Sequence, residues 1–237
     1  FLLNHFVKIS PFYRELMLLT LREQGRMLTS MIYYDEVTPG DAFAPDNQRK
    51  FWSLYVAFSE FGQAVLSQEE AWLPIGVLRC SVKVEGGISN AIRLLLRTWC
   101  GRAVMLHEID ELVSLREIDH LADLDAHRAV SDLKGASGLR PCFKCRNVMC
   151  KGHPSIKRSS WLVDITCKDF SRFDLTTDED FYETVDVLKS TFDAGGKVDD
   201  LEKAYGLNYN PLSIYNDSLL REYLKPVSGL KFDPMHT

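Results

Sequence analysis

Long apolar runs are missing from this 237-residue chain. A membrane-spanning helix needs roughly 20 consecutive apolar residues, and even the hydrophobic stretch Ala91 to Cys100 is broken by Arg93 and Arg97. Cysteine is scarce: six residues are too few for a disulfide scaffold, and three of them, Cys142, Cys145 and Cys150, fall close together. That clustering fits metal binding in a reducing compartment better than the disulfides of a secreted protein. Fourteen glycines and nine prolines exclude collagen-like and low-complexity chains, and no secretory leader pattern opens the sequence. Nor is there a large excess of charge, since 28 basic and 33 acidic residues give a net −5. Spread evenly, that balance would argue against nucleic acid. What is present is 46% hydrophobic residues, enough to bury a core, in a length that suits one large domain or two small ones. The sequence begins with Phe1 and stops at Thr237, and reads as a piece of a longer protein.

The charge is not even. Between Lys134 and Arg172 nine basic residues (Lys134, Arg140, Lys144, Arg146, Lys151, Lys157, Arg158, Lys168, Arg172) stand against two acidic ones, Asp164 and Asp169. A stripe of this kind is the electrostatic footprint of phosphate contacts, although charge runs also occur as plain solvated faces.

Periodicity predicts an α/β chain. Residues 2–27 carry apolar positions at helical spacing. Met31 to Tyr34, Phe51 to Phe61 and Trp72 to Val84 predict three strands in an antiparallel meander. After Gly86-Gly87 a helix is expected through Trp99, capped by Ser89 or Asn90. A strand lies within residues 103–122, with a helix possible over Ile109 to Leu115. A short helix from Asp125 to Leu133, a strand at Trp161 to Thr166 and an acidic helix from Thr177 follow. The organisation expected is a helical segment over 1–28, a core over 29–133, a basic insertion with its following strand over 134–172 and a helical part over 173–237.

Two groups of residues carry chemistry. Cys142 and Cys145 form a CxxC pair, and Cys150 and His153 a CxxH pair. Four soft ligands at this spacing can close a tetrahedral, structural Zn²⁺ site, with Cys167 an alternative to His153. The other readings are inert thiols, and for Cys80 and Cys100 small core residues. The second group is acidic. Asp35 follows the strand Met31 to Tyr34, and Asp123 follows Ile118 to Ala122. Acids at adjacent strand ends can hold Mg²⁺ or Mn²⁺ for phosphodiester cleavage, yet an Asp here also serves as a turn former or helix N-cap. Glu36 rivals Asp35, and Asp119 or Asp125 rivals Asp123. Trp52, Trp72, Tyr33 and Trp99 could stack on flipped bases, but at helix and strand periodicity they read as core aromatics, and His107, His120 and His127 as surface or core histidines.

The succession Tyr33-Tyr-Asp-Glu-Val-Thr38, Leu121-Ala-Asp-Leu-Asp-Ala126, Lys134-Gly-Ala-Ser-Gly138, Pro141-Cys-Phe-Lys-Cys145 and Phe232-Asp-Pro-Met-His236 resembles the catalytic region of eukaryotic cut-and-paste DNA transposases, most closely the Plavaka and Kyakuja-Dileera-Zisupton group. The resemblance covers most of residues 30 to 237. It implies an RNase H-like mixed sheet flanked by helices, with Asp35 and Asp123 as the first two acids of a DDE or DDD triad. Asp233 takes the Asp-x-Met-His position, with His236 near it, unless the last acid lies beyond Thr237. It implies a Cys/His zinc-binding insertion whose basic face (Lys134, Arg140, Lys144, Arg146, Lys151, Lys157, Arg158) meets DNA. Catalytic Mg²⁺ or Mn²⁺, structural Zn²⁺, a nuclear location and a homo-oligomer follow from the same resemblance. Two readings compete with it: a domesticated derivative that binds without cleaving, and an unrelated zinc domain in which Asp35 and Asp123 lie far apart.

Overall fold

A computed structural model describes residues 2–39 and 49–232. Its centre is a mixed sheet of six strands in the order β3-β2-β1-β5-β4, with β8 pairing the far half of β5. The strands are β1 (Met27–Val37), β2 (Phe51–Phe58), β3 (Leu73–Arg79), β4 (Val104–Leu106), β5 (Glu111–Ala122) and β8 (Leu230–Phe232), while β6 (Val148–Met149) and β7 (Val163–Asp164) form a two-stranded sheet of their own. The helices are α1 (Leu2–Ile9), α2 (Pro11–Gln24), α3 (Gln63–Leu66), α4 (Gly87–Trp99), α5 (Leu124–Val130), α6 (Asp178–Asp193) and α7 (Asp199–Tyr205). None of the described helices is long and apolar enough to cross a membrane.

The meander is as expected, β1 with β2 and β2 with β3 both antiparallel. A parallel neighbour needs a crossover connection, and the stretch containing α4 supplies it between β3 and β5, which runs parallel to β1. β8 then adds in parallel to β5. Strand alternation explains which faces are dry: Leu28, Ile32 and Tyr34 of β1 are buried, together with Val56, Ile92 and Leu96 and with Leu3, Val7, Tyr13 and Met17 of the first two helices. Met31, Tyr33 and Asp35 on the other face are only half-buried. Asp217, fully buried, binds Arg97 at 2.6 Å and Arg93 at 3.4 Å and so holds α4 to the C-terminal segment.

Several local expectations are corrected. β1 is longer than Met31 to Tyr34 at both ends: Met27 to Thr29 already pair with β5, and Asp35 to Val37 pair with β2, so Asp35 lies within the strand rather than after it. Gly86, in the left-handed region, precedes α4 as its N-cap. Ser89 instead accepts from the Ile214 N–H, and Asn90 donates to the Glu85 carbonyl. Residues 107–110 form the turn between β4 and β5, and residues 111–115 are already strand rather than helix. The strand expected at Trp161 to Thr166 shrinks to two residues, while α6 carries the capping box of Thr177 and Asp180. Cys100 is buried as expected, but Cys80 is half-exposed beside Glu36.

The insertion is seated on the helical part by a close backbone approach. Gly206 ends α7 at φ 72°, and a Cβ there would sit 2.2 Å from the Arg140 carbonyl oxygen. Gly206→Ala is therefore expected to destabilise the protein by more than the ~1–2 kcal/mol of a left-handed L-residue, read as a drop in thermal midpoint. An unchanged midpoint would show that the contact can relax.

Candidate metal and nucleic-acid site

Register places the two acids. Tyr33 of β1 pairs with Leu121 of β5 in parallel, and each acid lies two residues further along its chain, Asp35 after Tyr33 and Asp123 after Leu121. Both acids therefore lie at the same end of neighbouring strands, Asp35 within β1 and Asp123 just past the end of β5.

Asp123 has a second task. It is the N-cap of α5, and its Oδ1 accepts the Ala126 N–H at 2.7 Å. The cap orients the carboxylate and uses one oxygen, so the helix-cap and ligand readings are both compatible with its geometry. The rivals are placed elsewhere. Glu36 is paired with Lys50 at 2.7 Å, and Asp125 is largely exposed and paired with Arg128. Asp119 sits further down β5, where burial raises its pKa against the lowering effect of Lys231. Asp233 and His236 lie outside the described residues.

Beneath the acids lies a feature that sequence reading passed over. The Tyr34 hydroxyl lies 2.8 Å from His127 Nδ1, and His127 Nε2 lies 2.8 Å from the Lys231 carbonyl. A carbonyl only accepts, so Nε2 carries the proton and Nδ1 accepts from Tyr34. Burial, the largest influence, lowers the His127 pKa and keeps it neutral. This bridge joins three elements: β1 one residue before Asp35, α5 one turn after Asp123, and β8 near its last described residue. His127 also packs edge-on against Tyr34 and Phe232. The signal in the sequence was Asp123 followed four residues later by His127, which places both on one helical face.

The basic insertion reaches the same end of the sheet. Lys144 donates to the Leu230 carbonyl at 3.0 Å and lies 5.3 Å from the centre of the Phe232 ring. Burial, with Lys231 nearby, lowers its pKa. The other six predicted DNA-facing residues divide into two sets. Lys134 is paired with Glu202, Arg146 with Asp174, and Arg140 is half-buried against the Tyr205 ring. Lys151, Lys157 and Arg158 are exposed, so the phosphate-accessible charge is narrower than the sequence count.

The cysteines are partly gathered. Cys145 is buried with Val148 and Val163, and Cys142, Cys167 and Phe173 pack against that small cluster. Burial first, then the neighbouring Cys142 thiol, pushes the Cys145 thiol up to about 11. His153 uses Nδ1 to accept the Ser155 N–H at 3.3 Å. Among the described residues no three His, Cys, Asp or Glu side chains converge tightly enough to hold one ion. The donor types suit each metal, soft thiols for Zn²⁺ and hard carboxylates for Mg²⁺ or Mn²⁺. The sequence matches no protein-family model and no curated protein.

Proposed function

We propose that this chain is a transposase-like catalytic region with an RNase H-like core, acting on DNA phosphodiesters through metal-binding acids. The carrying observation is the parallel register that ends at Tyr33 and Leu121, each two residues before one of the acids Asp35 and Asp123. The succession of three strands, α4, the short strand β4 with β5, and α5 is in keeping with the same reading, as is Lys144 at that end of the sheet. Asp35 and Asp123 would hold Mg²⁺ or Mn²⁺, which when bound supplies activation of a water or 3′ hydroxyl and stabilisation of the leaving oxygen. The Ala126 N–H holds the Asp123 carboxylate in place, and the Tyr34–His127–Lys231 bridge keeps the three strand ends together. Lys151, Lys157 and Arg158 would meet backbone phosphates, which makes binding fall with added salt. Cys142 and Cys145, with Cys150 and with Cys167 or His153, would hold Zn²⁺ and stiffen the insertion. Its packing with β6 and β7 favours Cys167 as the fourth ligand. A nuclear location and self-association belong to this proposal.

The second reading is a non-cleaving DNA- or protein-binding module, favoured by the use of Asp123 as a cap and by the internal pairing of Lys134 and Arg146. Nicking of supercoiled plasmid in Mn²⁺, with bound zinc measured in the same samples, separates the two. Nicking that is abolished by chelation and by Asp35→Asn supports cleavage. DNA binding without nicking, in a protein that carries its zinc, supports the module.

A further inference from the structure

We propose that the covered face of the sheet holds a binding cavity for one small, neutral, mostly apolar molecule with a single hydroxyl, a small phenol or alcohol, and that Ser30 is its hydrogen-bonding partner. Ser30 and Ile32 point to the face of β1 opposite Tyr33 and Asp35. The cavity therefore goes beyond the phosphodiester reading and does not depend on it.

A space of about 240 Å³ opens between the sheet, α1 and α4. Ile32 and Val56 form its floor on the strands, Leu95 and Trp99 its wall on α4, and Leu2, 40% exposed, its rim on α1. No charged side chain among the described residues lines it. A charged ligand would lose its hydration there with nothing to replace it, so the occupant is neutral. An apolar cavity of roughly 150 Å³ already takes a benzene ring, and this one has room for a substituted ring.

Ser30 is the exception in this lining. It is 1% exposed, and its hydroxyl has no hydrogen-bond partner among the described residues. The other hydroxyl of the lining, that of Thr98, already donates to the Leu95 carbonyl at 2.7 Å. A buried hydroxyl left unpaired costs free energy that a partner recovers, and a ligand hydroxyl can either donate to it or accept from it. Both helical walls are held from outside the cavity. Asn4 ties α1 to β4 and the turn after it, its Nδ2 donating to the Met105 carbonyl at 3.0 Å and its Oδ1 accepting the His107 N–H at 3.2 Å. Asp217 fixes α4 through Arg97 at 2.6 Å. The cavity is thus formed before a ligand arrives, which lowers the cost of binding.

The test is titration calorimetry of the intact chain with p-cresol and with p-xylene, which have nearly the same shape and differ by a hydroxyl in place of a methyl group. The unchanged protein is expected to bind p-cresol saturably at one site and to melt at a higher temperature in its presence. Ser30→Ala is expected to weaken p-cresol about fivefold to tenfold, within the range of one hydrogen bond, while leaving p-xylene as before. Its own melting midpoint should not fall, because the substitution removes an unpaired buried hydroxyl. Leu95→Phe, which fills the space, is expected to abolish binding of both. If Leu95→Phe fails to fold, Ser30→Ala decides the matter by itself. No p-cresol binding by the unchanged protein, an unchanged p-cresol affinity in Ser30→Ala, or an equal loss of both ligands there overturns the site.

Discussion

Asp123→Asn is expected to weaken Mn²⁺ binding more than tenfold while leaving the metal-free thermal midpoint close to that of the unchanged protein. Asn is as good an N-cap as Asp, so its Oδ1 can keep the 2.7 Å bond from the Ala126 N–H. The substitution removes only the charge. A hard divalent cation loses an anionic ligand. Asp123→Ala removes both cap and charge, and is expected to cost about 1 kcal/mol of stability in addition, roughly a 2–4 °C shift for a chain of this size. Asp35→Asn should reproduce the loss of Mn²⁺ binding. Isothermal titration with Mn²⁺ and melting of the same samples decide the matter. Normal Mn²⁺ binding by both Asn variants would reduce Asp123 to a helix cap and sink the metal site.

The second large effect is on stability against pH. His120 is fully buried between Tyr34, Ile32 and Leu230, and neither ring nitrogen has a partner. Burial, then the nearby His127, pushes its pKa down to about 3 from an ordinary 6.5, and burial lowers His127 as well. The sign follows from linkage. The unfolded chain takes up these protons near pH 6.5 and the folded chain resists them, so stability is complete above that pH and falls as the pH drops toward the folded values. A single such group contributes about 1.4 kcal/mol per pH unit, so His120 alone is expected to cost about 2–3 kcal/mol between pH 6.5 and 4.5. His120→Leu should flatten that part of the profile, because an apolar side chain suits the site and has nothing to titrate. Asp119 and Asp132, raised by burial, act in the opposite sense, losing stability as the pH rises through their folded values. Denaturant midpoints at pH 6.5, 5.5 and 4.5 measure the slope. An unaltered slope in His120→Leu would show that its proton uptake is not what governs acid stability. Tyr34→Phe tests the bridge separately, since it removes the hydroxyl that His127 Nδ1 accepts from.

Much of the framework was legible in order and type. Alternation in Phe51 to Phe58 and helical spacing in Ile88 to Trp99 are local properties, and both elements stand where periodicity placed them. Boundaries were less legible. The first turn of α4 has Gly86 as its cap because the Ser89 hydroxyl accepts from the distant Ile214 N–H, and a partner 125 residues away leaves no trace in local propensity. The basic stripe shows the same limit: composition counts Lys134 and Arg146 as phosphate-facing, but Glu202, Asp174 and Asp180, brought in by the chain after residue 173, neutralise them.

By itself the sequence determined the α/β class, the antiparallel meander, Asp123 directly after a strand and the cysteines grouped within a basic segment, since each depends on residues close in the chain. Only the tertiary structure decided that Asp35 and Asp123 come to the same end of neighbouring strands, because that depends on the parallel register of two strands separated by α4. Only it joined Tyr34, His127 and Lys231, whose hydrogen bonds span 93 and 104 residues. Local patterning sets which way a side chain points along its own element, but the pairing of strands sets what it meets, and the candidate site is made of such meetings.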